Sequence, residues 1–133
     1  YSESRIKIDL SSFKMITFKN NNWRPTTVAF IQSLVWSKKD ITITFLCQEK
    51  EEGKGWPNRE EAFVVVEVQF LNCTQLKLNL EGDTLQPAFG FDILDVSANG
   101  WENINFQIEE HENDCIGFYC EAIEVLSKAS LKL

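Results

Sequence analysis

Asp40-Ile-Thr-Ile-Thr-Phe-Leu-Cys47 is the stretch whose reading decides the fold. Ile41, Ile43 and Phe45 occupy every second position, with Thr42 and Thr44 between them. Successive side chains of a strand point to opposite faces, so this spacing gives one apolar row and one hydroxyl row, the signature of a half-buried strand. The same rhythm continues towards the C-terminus. Val64, Val66, Val68 and Phe70 form one row, and Leu76, Leu78 and Leu80 form the next, with residues 72–74 predicted to join the two runs as a hairpin. Phe89-Gly-Phe-Asp-Ile-Leu-Asp-Val96 follows Pro87, and Gly90 inside it marks a bulge or a close backbone approach. Asn99-Gly100 is the strongest hairpin signal, because both residues tolerate positive φ. Beyond it Ile104, Phe106 and Ile108 alternate, and a polar loop leads into the run from Ile116 to Val125.

Towards the N-terminus, Ile6, Ile8 and Leu10 alternate, residues 13–18 form a second extended run, and an apolar stretch from Val28 to Trp36 follows Pro25. That last stretch also fits a short helix opened by Pro25. The predicted fold is mainly β, an antiparallel meander forming a sandwich, or a curved sheet or partial barrel, with at most one short helix. At 133 residues the chain suits a single β-rich domain over 1–133, a size that buries roughly two thirds of the unfolded surface.

Composition narrows the classes of function. A net charge of −7 disfavours nucleic acid and anionic membrane and favours a basic protein partner. No apolar run approaches the roughly 18 residues that cross a bilayer, and Tyr1-Ser-Glu-Ser-Arg5 lacks the regions of a signal peptide. Cys47 and Cys120 continue apolar rows, while Cys73 and Cys115 form no CxxC knuckle. Free buried thiols suit a reducing compartment, so a cytoplasmic location is expected. Were residues 40–47 an edge strand, their Thr-rich face would also offer a homodimer contact.

The candidate sites favour binding over chemistry. His111 is the single histidine, set among acids and four residues from Cys115, a separation along one short connection that leaves no room for a nucleophile and base to meet. The acids Glu109, Glu110, Glu112 and Asp114 lack the Gly turn and closing Glu of a calcium loop. Carboxylate pairs from Asp92, Asp95, Glu102 or Glu109 have no separation that sequence can set. We therefore expect no catalytic residue, no metal and no cofactor. Trp23, Trp36, Trp56 and Trp101 are the other set, and exposed loop tryptophans often anchor interfaces.

The order of residues 41–45, a charged loop with Trp56, Val64-Val-Val-Glu-Val-Gln-Phe70, Leu76-Lys-Leu78 and Ile116-Gly-Phe-Tyr-Cys-Glu-Ala-Ile-Glu-Val125 resembles the immunity protein 50 family of bacterial polymorphic-toxin systems. Phe118-x-Cys120 followed by Ile123-x-Val125 is the most specific part of the likeness, which covers residues 28–126. The resemblance implies a small cytoplasmic, non-catalytic protein that neutralises a cognate toxin by direct binding. Partner contacts are then expected at the acidic loops, with Glu110, Glu112 and Asp114, and at Trp56 or Trp101. The rival expectation is a small-ligand or carbohydrate-binding β domain that uses exposed tryptophans.

Overall fold

Alternating apolar rows are stable only when covered, and in the computed structural model two antiparallel sheets cover each other's rows. The structure describes residues 16–18, 21–51 and 53–131. The alternating residues Ile6, Ile8 and Leu10 lie outside them. A short hairpin comprises β1 (Ile16–Phe18) and β2 (Asn21–Trp23). β3 (Val28–Ser37), β4 (Asp40–Cys47) and β5 (Phe63–Leu71) form a meander. β6 (Thr74–Leu78) and β7 (Gln86–Pro87) follow, then a second meander of β8 (Phe91–Asp95), β9 (Phe106–Glu110) and β10 (Ile116–Cys120), and finally β11 (Ala122–Leu131). The sheet orders are β11-β5-β4-β3-β7 and β6-β10-β9-β8. Neither sheet closes on itself, which makes a sandwich rather than a barrel.

The helix alternative at Pro25 becomes a single 3-10 turn, Pro25–Thr27, after which the β-branched and aromatic residues of β3 take the extended conformation. β4 is not an edge strand. It pairs with β3 on one side and β5 on the other, so its backbone offers no free edge for a dimer. The hairpin predicted around residues 72–74 does not form either. β5 pairs with β4 and β11, whereas β6 pairs with β10 in the other sheet. The reason is local: Asn72 and Gln75 both have positive φ, and the Cys73 amide bonds to Lys39 O, so the chain leaves one sheet and enters the other. Asn99-Gly100 does lie between two paired strands, but as part of a longer connection in which a 3-10 turn ends on Gly100 with φ of 74°.

Aromatic rings lock the two inner faces together. Phe45 and Phe91, from opposite sheets, have centroids 4.8 Å apart, and Phe70 meets Phe118 edge-on at 5.2 Å. Trp23, from the small hairpin, stacks on Phe45 at 5.4 Å and closes one side of this cluster. A second, smaller cluster of Ala29, Phe30, Leu46 and Phe63 lies on the reverse of the five-stranded sheet. Phe45 touches rings from three other elements and has no exposed surface. Phe45→Ala is therefore expected to lower unfolding stability by about 3–5 kcal/mol, read from the urea midpoint; a shift under about 1 kcal/mol would mean that the sheets do not depend on this contact.

Candidate functional site

Phe106, Ile108 and Glu110 share one face of β9, so the rhythm that buries Ile108 carries Glu110 inward with it. Glu110 is 2% exposed, and its carboxylate is met by backbone donors. Oε2 accepts from the Gly90 amide at 2.9 Å and the Glu112 amide at 3.2 Å. Oε1 accepts from Asn113 at 2.8 Å and Cys115 at 3.3 Å. A buried carboxylate is tolerable only when its oxygens are satisfied in this way. The expectation that Glu110 meets a partner is thus corrected: it is the internal hub of the loop between β9 and β10. Gly90 permits the arrangement, since a Cβ there would lie 2.7 Å from the Glu112 amide nitrogen. This is the close approach that the glycine signalled.

With its amides turned inward, the loop directs Glu112 and Asp114 to solvent, where both are exposed. Asp114 pairs with Lys77 of β6 at 3.2 Å. Glu112 has no ion-pair partner among the described residues. Next to the loop lies the outer face of the four-stranded sheet. Ile116, Phe118 and Cys120 point inward, so Gly117 and Tyr119 point outward. Register sets Lys77, Gly117, Glu109 and Asp92 in one row across all four strands. Tyr119, Gln107 and Leu94 form the next row, and Trp101, 49% exposed, stands edge-on to Tyr119 at 6.1 Å. A groove of about 260 Å³ runs over Gly117 between Lys77 and Glu109.

The electrostatics of this face are unbalanced. Asp92 and Glu109 are directly opposite on adjacent strands, a like-charge pairing that ordinarily costs a few tenths of a kcal/mol to about 1 kcal/mol. Asp92 accepts the Ile93 amide at 2.8 Å, while Glu109 has no ion-pair partner among the described residues. Of the expected partner residues, the structure gathers Trp101, Glu112 and Asp114 on or beside this face. Sequence reasoning missed Gly117 and Tyr119 altogether and treated Asp92 and Glu109 only as scattered acids, because their adjacency is a matter of strand register.

Trp56 lies elsewhere. Its indole packs edge-on against Phe89 at 5.6 Å, Nε1 donates to Gln48 O at 2.8 Å, and Lys50 sits 4.4 Å above the ring. It covers the smaller apolar cluster, and the Gln48 side chain ties the same loop at both ends through Asn58. Two acids of this loop are locally matched: Glu49 pairs with Arg24, and Glu51 with Lys54. Trp23 is buried, so only Trp36 and Trp101 of the four indoles are exposed, which leaves no four-indole platform for a ligand. Among the described residues no three His, Cys, Asp or Glu side chains gather as a metal site, and no helix is long and apolar enough to cross a membrane.

All four cysteines are free thiols. Burial pushes Cys47 up to about 11 and Cys115 to about 12, the latter with help from the neighbouring Glu110 charge.

An open β-sandwich of this kind, with its unmatched charge and exposed ring gathered on one sheet face, is matched over residues 14–125 by a family model of immunity proteins. The class is the one to which the strand order and the Phe118-x-Cys120 segment pointed. Within it, the chain belongs to the family described as Immunity protein PIM8, where the sequence resemblance had named immunity protein 50. No curated protein and no solved structure is significantly similar to the chain.

Two outcomes test the site's construction. Glu110→Ala strands several inward amides and should cost on the order of 3 kcal/mol, with faster hydrogen exchange at the Glu112, Asn113 and Cys115 amides. Unchanged exchange there would show that the carboxylate does not organise the loop. The buried thiols hold their protons more tightly in the folded state than in the unfolded chain, where the reference value is 9.0. Their contribution to stability is therefore complete below pH 9 and is lost as pH rises towards 11 and 12. Urea midpoints at pH 8 and pH 10.5 should differ accordingly, and replacing Cys47 and Cys115 by Ala should shrink the difference.

Proposed function

We propose that the protein neutralises a cognate bacterial toxin by binding it directly in the cytoplasm, without chemistry of its own. Membership of an immunity protein family supports the general role. The observation that carries the direct-binding reading is the outer face of the four-stranded sheet, where the Glu109 carboxylate stands opposite that of Asp92 and where, among the described residues, neither Glu109 nor the exposed Glu112 beside it has an ion-pair partner. Folding alone gives no reason to keep like charges in register. A basic surface seated there would supply a counter-charge to Glu109 and Glu112. A toxin that acts on phosphate-bearing substrates needs such a basic surface, and an acidic inhibitor both steers towards it and masks it.

Trp101 and Tyr119 supply apolar area at the far end of the same face, so a partner lying along it meets acids at one end and rings at the other. The double variant Glu112→Lys/Asp114→Lys tests the acidic end. It breaks an exposed ion pair and places lysine at the positive φ of Asp114, so the melting temperature should fall only slightly. Association with a purified toxin domain that the wild-type protein binds, followed by surface plasmon resonance, should slow about tenfold at low salt and recover part of the loss at high salt. An on-rate equal to wild type would remove the loop from the interface.

A further inference from the structure

We infer that the groove over Gly117 is a receptor for one arginine side chain of the toxin, a proposal that rests on the direct-binding reading above. Gly117 lies inside a strand, where glycine weakens the sheet; the pairing of β10 with β6 shifts register between Gly117 and Tyr119, but Gly117 does not have the positive φ that would make such an irregularity demand glycine. No tight packing requires it. A Cβ built there would meet only the Ile108 carbonyl oxygen at 3.8 Å, so a larger outward side chain would fit without strain. What the missing side chain leaves is a trough, with Gly117 as its floor and Lys77, Glu109 and Tyr119 around it.

The surrounding groups select the occupant. Lys77 is held by both carboxylate oxygens of Asp114, at 3.2 and 3.3 Å, so its charge is already matched. Glu109 is half-buried and has no ion-pair partner among the described residues, and the Asp92 carboxylate lies opposite it on the adjacent strand. Tyr119, next outward on the same strand, offers a ring beside the trough. A guanidinium fits this combination better than an ammonium, because its planar fork pairs with a carboxylate while its face stacks on an aromatic ring. Gln75 and Gln107 at the rim add carbonyl acceptors for its remaining N–H groups.

Two variants separate this from a structural role for the glycine. Gly117→Val fills the trough with a strand-favouring residue and should fold with an equal or higher melting temperature. Its affinity for the same toxin domain should nevertheless fall by about tenfold or more, as expected when a desolvated charge contact is lost. Glu109→Gln keeps the size of the wall but removes its charge, and it should lose affinity to a similar degree while relieving the repulsion with Asp92. Wild-type affinity in either folded variant overturns the trough while leaving toxin binding intact. Should Gly117→Val not fold, Glu109→Gln alone decides. If the wild-type protein itself does not bind the toxin domain, the direct-binding reading fails first and the trough goes with it.

Discussion

The structure depends on a corner at which the chain passes twice between the two sheets. Residues 71–74 carry it from β5 to β6, and residues 120–122 carry it from β10 to β11. The crossings hold each other. The Asn72 carboxamide donates to the Glu121 carboxylate at 3.0 Å, the Glu121 amide donates to Leu71 O at 3.0 Å, and Asn105 ties Glu121 O to the start of β9. Because both sheets share this chain, their inner faces are held opposite one another, and the Phe70–Phe118 contact follows. A sandwich whose sheets were joined only by long loops would leave that alignment to packing alone.

Part of this was legible in the residues and part was not. Period-two alternation located β4, β5, β6, β8 and β9 because burial on one face imposes that period wherever a sheet has a dry side, whereas β3 reads as an apolar stretch, β10 and β11 read as one run, and the two-residue β7 is not predicted. The corner at residues 120–122 also leaves a trace. Phe118 and Cys120 are in phase with each other, as are Ile123 and Val125, yet the two pairs are out of phase, which a single strand on one sheet does not allow. The crossing at residues 71–74 leaves none, since Val66, Val68, Phe70, Leu76 and Leu78 keep even spacing straight across it. Two positive-φ residues bend the chain without disturbing the count, and a hairpin was the natural misreading.

The site divides in the same way. Glu110 continues the inward phase of Phe106 and Ile108, so its burial could have been read by trusting the alternation over the polarity of the residue. Polarity prevailed because an isolated carboxylate is costly to bury, and the four amides that make it tolerable come from a loop and from Gly90, twenty residues away. Trp56 posed the converse problem. A tryptophan in a charged loop suggests an exposed anchor, but the loop folds back over a second apolar cluster that no local pattern announces. The adjacency of Asp92 and Glu109 needs the register of two strands joined by a ten-residue connection, which sequence does not fix.

Charge then separates what serves the fold from what does not. In the long loop Glu49 is matched by Arg24 and Glu51 by Lys54, Asp114 is matched by Lys77, and Glu110 is matched by amides. Each of these has a reason inside the molecule. Glu109 has no such match among the described residues: it opposes another carboxylate, lies beside a glycine that weakens its own sheet, and borders a groove. A stretch of sheet that is locally worse for folding in both charge and propensity is the kind of place where contact with another molecule, as proposed for this face, would offset the cost to the fold.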